Sequence, residues 1–194
     1  GTVLNAGAGQ VLRAEFAPAD PANWNTASAE QTLDVNPALL TVTADSKTRV
    51  YGDANPELSW TPAGFVNGDT AAVLAGAPVL ACAATPASAV AGSPYPVTVA
   101  QGTLAAANYA FAFQDGSLTV TRRPAAVTAD NQAKAFGDPD PVLTYTVATG
   151  PVLGDTFSGA LARDPGEDVG AYAITPGTLT LGPNYDLAFT PDGN

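Results

Sequence analysis

The sequence predicts an all-β fold of small antiparallel domains in tandem, and three observations predict it. First, short motifs recur at a fixed spacing: VYGDANPELSW, Val50–Trp60, returns as AFGDPDPVLTY, Ala135–Tyr145. Gly52 and Gly137, Asp53 and Asp138, Pro56 and Pro141, and Leu58 and Leu143 each lie 85 residues apart, which is the signature of a structural repeat. Second, apolar residues make up 46% of the 194-residue chain, but much of that is Ala and Val, and 19 Gly and 17 Pro interrupt it, which disfavours long helices and favours turn-rich β-structure. Third, apolar residues alternate with polar ones over short runs bounded by turn residues.

The elements follow in chain order. Val11 and Leu12 through Phe16 read as a strand, PADPANW as a turn, and Thr32–Val35 as a second strand that closes a first, partial unit over residues 1–37. Leu33 and Val35 sit 85 residues before Leu118 and Val120, so this segment ends as the next unit ends. The first full repeat, 38–122, opens with Leu40, Val42 and Ala44 on one face and Thr41 and Thr43 on the other. It continues through the strands of Tyr95, Val97 and Val99, of Tyr109, Phe111 and Phe113, and of Leu118 and Val120. The second, 123–194, repeats the pattern at Tyr172 and Ile174 and at Tyr185, Leu187 and Phe189. Tyr95 and Tyr172 are only 77 apart, so the first copy has a longer connection through ACAATPASAVAGSP, the loop where a partner contact is expected. DTAAVLAG, Asp69–Gly76, and DTFSGALA, Asp155–Ala162, predict one short helical turn per repeat, capped by Asp or Thr. Alternation fits an immunoglobulin-like sandwich and a β-grasp-like sheet wrapped on that turn equally well.

Linkers of a few residues, at Asn36–Ala38 and Arg122–Ala125, limit swivel and predict an extended rod. Asp192-Gly193-Asn194 falls where Asp115-Gly116-Ser117 falls in the first copy, so the second repeat is expected to lack its closing strand and to present an open edge. The chain opens on Gly1, and the expectation is that it is a segment of something longer.

Charge and composition exclude several classes. Seven basic residues against 18 acidic ones give a net charge of -11, and no cationic patch exists beyond Arg122-Arg123, which argues against nucleic acid as a partner. No apolar run reaches the ~20 residues of a membrane-spanning helix, so no membrane insertion is expected in this segment. A single cysteine, Cys82, rules out an intrachain disulfide, and with no cation near it in sequence it reads as a small packed residue rather than a reactive thiol. Histidine is absent, which removes the usual base of a nucleophilic triad. The Asp residues recur at the same turn positions in both copies, unlike a carboxylate pair assembled across a cleft. No catalytic residues and no cofactor are expected.

Calcium is the remaining chemistry to weigh. Asp53-x-Asn55 and Asp138-x-Asp140 place oxygens at alternate positions, and Asp20 and Asn23 offer others, so Asp53, Asn55, Asp138 and Asp140 are the candidate ligands. The spacing is not that of an EF-hand, and Asx turns without metal are the preferred reading. In that reading the Asp of the Gly-Asp corner accepts from backbone N–H groups two or three residues on, Gly supplies positive φ, and the aromatic before and the Leu after anchor the corner in the core. Lys47 and Lys134 do not align with each other, and both read as solvated rather than crosslinked. Asn108-Tyr109 and Asn184-Tyr185 read as a turn-capping Asn followed by a core Tyr with its hydroxyl at the rim.

Taken together, YGDANPELSW, GDTAAVLAG, Gly92-x-x-Tyr95, the GTL at Gly102–Leu104, NYAFAF and DGSLTV resemble the MBG domains, mostly-β glycine-rich repeats of bacterial surface adhesins. FGDPDPVLTY, LGDT, GAY, GTL and NYDLAF carry the resemblance through the second copy. Residues 1–35 resemble the C-terminal part of a bacterial Ig-like repeat through AEFAPAD, NW and TLDV. The resemblance implies a secreted, extracellular, non-catalytic stalk or spacer of a bacterial cell-surface adhesin. Its partners would be neighbouring repeats of the same chain, and the alternative it leaves open is a module that itself binds host glycan or matrix protein.

Overall fold

The computed structural model describes residues 3–191, and they are all-β in several sheets. In chain order the strands are β1 (Gly7–Phe16), β2 (Ala27–Val35), β3 (Ala38–Ala44), β4 (Lys47–Val50), β5 (Trp60–Ala63), β6 (Val79–Cys82) and β7 (Tyr95–Ala100). They continue as β8 (Tyr109–Gln114), β9 (Gly116–Thr121), β10 (Arg123–Ala129), β11 (Tyr145–Thr149), β12 (Ala162–Arg163), β13 (Ile174–Thr175) and β14 (Tyr185–Thr190).

The two full repeats open with the same sheet. In the first, β3 runs antiparallel to β5 and parallel to β8, with Ala38 opposite Tyr109; in the second, β10 runs antiparallel to β11 and parallel to β14, with Arg123 opposite Tyr185. The alternation read from sequence sets which side chains turn inward: Leu40, Val42 and Ala44 on β3, and Ala125, Val127 and Ala129 on β10, are all buried. Each such Leu or Val contributes about 1.5–3 kcal/mol by leaving water. The first repeat also builds a four-stranded sheet in the order β4-β9-β7-β6. Among the described residues, the second has the two-residue ladder of β12 and β13 in its place.

By its internal contacts the chain forms two compact units. One comprises the N-terminal segment up to Asp45, Leu58–Ala81 and Val97–Gly116; the other comprises Ser46–Glu57, Cys82–Pro96 and the chain from Ser117 onward. The second unit therefore gathers one end of the first repeat together with the second repeat. Its core holds Tyr51 and Val120 from the former and Ala125, Leu181 and Tyr185 from the latter, with Val90, Tyr95, Val152, Phe157 and Leu187 packed against them.

Several local expectations need correction. The segment Arg122–Ala125 is not a free linker, because β9 ends at Thr121 and β10 begins at Arg123. A 3-10 turn lies in the long loop at Val90–Gly92. Of the two expected helical turns only that of the first repeat forms, as a 3-10 turn at Ala71–Val73 whose start is capped by the Thr70 hydroxyl. The reason is length. Gly76 and Gly159 both press against a Thr carbonyl, of Thr103 and Thr178, and five residues separate Thr70 from Gly76 where two separate Thr156 from Gly159. The three residues missing from the second copy are as many as the turn contains. The turn itself buries no residue. The proposed counterpart of the closing strand at Asp192-Gly193-Asn194 lies outside the described residues.

Candidate functional site

The residues that made the repeat visible meet, within the second unit, where the first repeat joins the second. Gly52 takes φ +87°, a left-handed conformation that turns the chain sharply after β4, and its N–H donates to Pro86 O at 3.2 Å. That turn sets Tyr51, 5% exposed, into the shared core with its ring edge-on to Tyr185 at 5.6 Å between centroids. Tyr51 also extends the β4–β9 ladder by donating its N–H to Thr121 O at 2.9 Å. Arg123, the first residue of β10, donates from Nε to Tyr51 O at 2.6 Å, and its guanidinium pairs with the Asp53 carboxylate. A Cβ on Gly52 would come within 2.4 Å of a Val152 methyl, so glycine is required here for space as well as for φ.

Asn184 completes the join from the other side. Its Oδ1 accepts from Val90 N–H at 2.9 Å, in the long loop of the first repeat, and its carbonyl accepts from Arg123 N–H at 2.9 Å. Asn108, its counterpart in the first unit, behaves alike: Oδ1 accepts from Ala6 N–H at 2.9 Å and the carbonyl accepts from Ala38 N–H at 2.9 Å. Both Asn side chains thus reach the segment that precedes their repeat rather than capping their own turn. The following Tyr is held by a second repeated device. Val66-Asn67-Gly68-Asp69 and Val152-Leu153-Gly154-Asp155 form tight turns with positive φ at both central residues and an N–H to carbonyl bond of 3.0 Å across each. Tyr109 Oη donates to Asp69 at 2.8 Å and accepts from Val66 N–H at 3.1 Å; Tyr185 Oη does the same with Asp155 at 2.7 Å and Val152 N–H at 3.0 Å. Burial, reinforced by the Asp155 carboxylate, pushes the phenols of Tyr51 and Tyr185 up.

A clamp behind the corner differs between the copies. In the first, Arg49 is only 6% exposed, and donates to Asn55 Oδ1 at 2.9 Å, to Val50 O at 3.2 Å and to Thr85 O, while Asn55 Nδ2 donates to Ala84 O at 2.6 Å. The 85-residue counterparts of Arg49 and Asn55 are Lys134 and Asp140, and these form an ion pair at 2.7 Å. Arg163 bonds Asp140 at 2.8 Å, and both Lys134 and Arg163 reach Glu167, at 3.0 and 2.7 Å. Arg163 first, then Lys134, hold the Asp140 carboxyl down at about 2; Lys134 and Arg163 hold Glu167 low, and the acids raise both cations in turn. Lys134 is therefore not a merely solvated lysine.

The candidate calcium ligands find these places. Asp53 pairs with Arg123 instead of accepting from its own turn, Asn55 is engaged at both ends by Arg49 and Ala84, and Asp140 lies between two cations. Asp138 has no side-chain partner among the described residues, and Asp20 accepts from Ala22 N–H and Asn23 Nδ2 in an Asx turn. Among the described residues no three of His, Cys, Asp and Glu converge on a metal position. Cys82 is half-buried at the end of β6. Phe136 is 75% exposed, so the expectation that it anchors its corner in the core as Tyr51 does is not met.

A family description, the MBG domain of YGX type, matches residues 40–119 and again residues 125–193. The chain belongs to the MBG domain family. No curated protein and no solved structure matches it. Tyr51-Gly52-Asp53 supplies a Tyr-Gly-X triplet to the first MBG domain, and Phe136-Gly137-Asp138 stands in its place in the second. Residues 1–39 lie outside the match, so the likeness of the leading hairpin to an Ig-like repeat gains no support from it. Arg123, the residue that ties the two MBG domains together, falls in the short gap between the matched segments, which is why motif comparison passes over it.

Proposed function

We propose that this chain is a structural spacer segment of a secreted bacterial cell-surface adhesin, holding other regions of that protein apart and performing no chemistry. The observation that carries the reading is where the repeated polar side chains spend their bonding capacity. Asp53, Asn184, Asp155 and Tyr185 are all satisfied inside the join between the two MBG domains, and Asn108, Asp69 and Tyr109 are satisfied in the same way in the first unit. Residues that recur in order to hold a shape leave little to present to a substrate. The long loop from Ala81 to Ser93 fits the same reading, since the carbonyls of Ala84, Thr85 and Pro86 and the N–H of Val90 all bond within the second unit.

A second reading, a module that binds glycan or matrix protein itself, is favoured by one observation. At the tip of the β1–β2 hairpin, the exposed rings of Phe16 and Trp24 flank an open concavity of about 380 Å³ beside Asp20, and exposed aromatic faces stack on sugars. The experiment is a glycan and matrix-protein array at micromolar concentration, followed by Trp24 fluorescence. No binding is expected. Saturable binding that Trp24→Ala abolishes replaces the spacer reading with the adhesive one.

A further inference from the structure

The corner that receives the second MBG domain exists twice, and only one copy is covered. Three groups on the first copy are used to receive the second domain: the Tyr51 ring, which meets Tyr185; the Asp53 carboxylate, which meets Arg123; and the Val90 N–H, which meets Asn184. Their counterparts can be identified without ambiguity. Phe136 and Asp138 follow from the 85-residue spacing. Val169 follows from a bond: Tyr95 Oη donates to Ala89 O and Tyr172 Oη donates to Asp168 O, both at 2.8 Å, and the next residue is Val90 in one case and Val169 in the other.

All three counterparts are open. Phe136 is 75% and Val169 is 90% exposed, the Val169 N–H has no acceptor among the described residues, and Asp138 has no cation beside it. Gly137 keeps the left-handed turn at φ +90°, but nothing lies within 4 Å of where its Cβ would stand, whereas the same position on Gly52 is filled by Val152 and Arg123. Lys134, Asp140, Arg163 and Glu167 brace the segment bearing Phe136 and Asp138 against the loop that leads to Val169, as Arg49 and Asn55 brace the first copy. The site is shaped and its polar groups are unspent.

We propose that Phe136, Asp138 and Val169 form a docking site for a further MBG domain of the YGX type. The domain it fits presents a basic residue at the start of its central strand, to meet Asp138, and an Asn-Tyr pair at the start of the parallel neighbour, the Asn accepting from Val169 N–H and the Tyr ring meeting Phe136. The argument is charge complementarity together with the covered corner of the same chain as template. It deepens the spacer reading, yet glycan binding at the hairpin tip would leave it standing, so the two fail separately.

The test uses the full chain and the same chain extended by a duplicate of Leu118–Asn194 placed after Asn194, which supplies a closing strand and a third domain in register. Hydrogen exchange should show the Val169 amide near the rate of free peptide in the 194-residue chain and slowed roughly 100-fold in the extended one. Asp138→Ala and Phe136→Ala should shift the unfolding midpoint by less than about 1 °C in the first chain and lower it by roughly 3–8 °C in the second. Equal effects in both chains, an unprotected Val169 in the extended chain, or an added domain that gains no protection beside an intact corner would each overturn the proposal. Self-association of the unextended chain with Val169 protected would assign the corner to a second copy instead, and would overturn it too.

Discussion

The two MBG domains share a first sheet strand for strand, with one register shift between Ala126 and Val127 in the second, yet among the described residues the four-stranded second sheet belongs to the first alone. The sheet of the first domain is built around β9. In the first domain β9 sits between β4 and β7, and β4 pairs with nothing else in its sheet. Among the described residues the second domain's counterpart of β4, Gln132–Ala135, pairs with no strand. The sequences of the two segments are not what separates them: KTRV and QAKA are comparably modest strand formers. Pairing decides. Where the ladder is absent, ion pairs from Lys134 and Arg163 to Asp140 and Glu167 hold the chain in the same neighbourhood. A backbone ladder carries its bonds in a fixed geometry, whereas exposed ion pairs between long side chains contribute little each and weaken with salt. The corner mounted on the ladder is covered, and the corner mounted on the ion pairs is open.

The largest expected break in this comparison comes from the aromatic of the corner. Tyr51→Ala removes a buried ring from the core shared by the two domains and should cost about 3–5 kcal/mol in urea unfolding of the second unit. Phe136→Ala, at the equivalent position, should stay within about 0.5 kcal/mol of the parent because the ring it removes is exposed. Equal costs would mean that the two corners are alike and that burial is not what distinguishes them.

Next in size is Arg123. Its side chain makes a charge-assisted bond to the Tyr51 carbonyl and an ion pair to Asp53 that is partly open to water, so Arg123→Ala should destabilise by about 2 kcal/mol, mostly through the first of these. Arg123→Lys keeps the charge but loses the fork that serves both acceptors at once, and should recover less than half of the loss. Asn184→Ala follows at about 1 kcal/mol, the usual net worth of a hydrogen bond, with the Val90 amide exchanging faster. In the first unit, Asn108→Ala should release the Ala6 amide in the same manner and leave Val90 protected.

Much of this architecture is legible in the sequence, for a definite reason. Period, alternation and glycine placement are local properties, and they gave the inward faces of β3, β7 and β9, the positive φ at Gly52 and Gly137, and the matching of the copies, whereas on β8 Phe113 is exposed against the alternation. What was not legible depends on partners far along the chain. Asn184 and Val90 lie 94 residues apart and Arg123 and Tyr51 lie 72 apart, so nothing beside Asn184 indicates that its acceptor serves the preceding domain. Read locally, Arg123 is half of a basic pair in a linker and Asp53 a turn residue. Gly-Asp-Thr is a good capping sequence and reads locally as a helix start; the actual task of Asp69 and Asp155, accepting from a Tyr hydroxyl forty and thirty residues on, has no local trace. The burial of Arg49 is equally silent, since it is satisfied by carbonyls and an amide rather than by an acid that could have been paired with it by eye.

Acid sharpens the comparison with the smallest effect. The clamp of the first domain joins Arg49 to a neutral amide, Asn55, and has nothing to titrate in the acid range; that of the second joins Lys134 and Arg163 to Asp140 and Glu167. Asp140 is held at about 2 in the folded chain against an ordinary 3.8, so between those values the unfolded chain binds more protons than the folded one. Its contribution is therefore complete above about pH 4 and is lost as pH falls through about 2. Hydrogen exchange at pH 5 and pH 2.5 should show the segment around Lys134 to Asp140 loosening at the lower pH, after correction for the intrinsic rate, while the backbone at Arg49 and Val50, on the strand that carries the first clamp, holds. Asp140→Asn gives the second clamp the side chain that the first one has, and should flatten that response. A segment that still loosens equally in Asp140→Asn would assign the acid sensitivity to Glu167 and remove Asp140 from the clamp's titration.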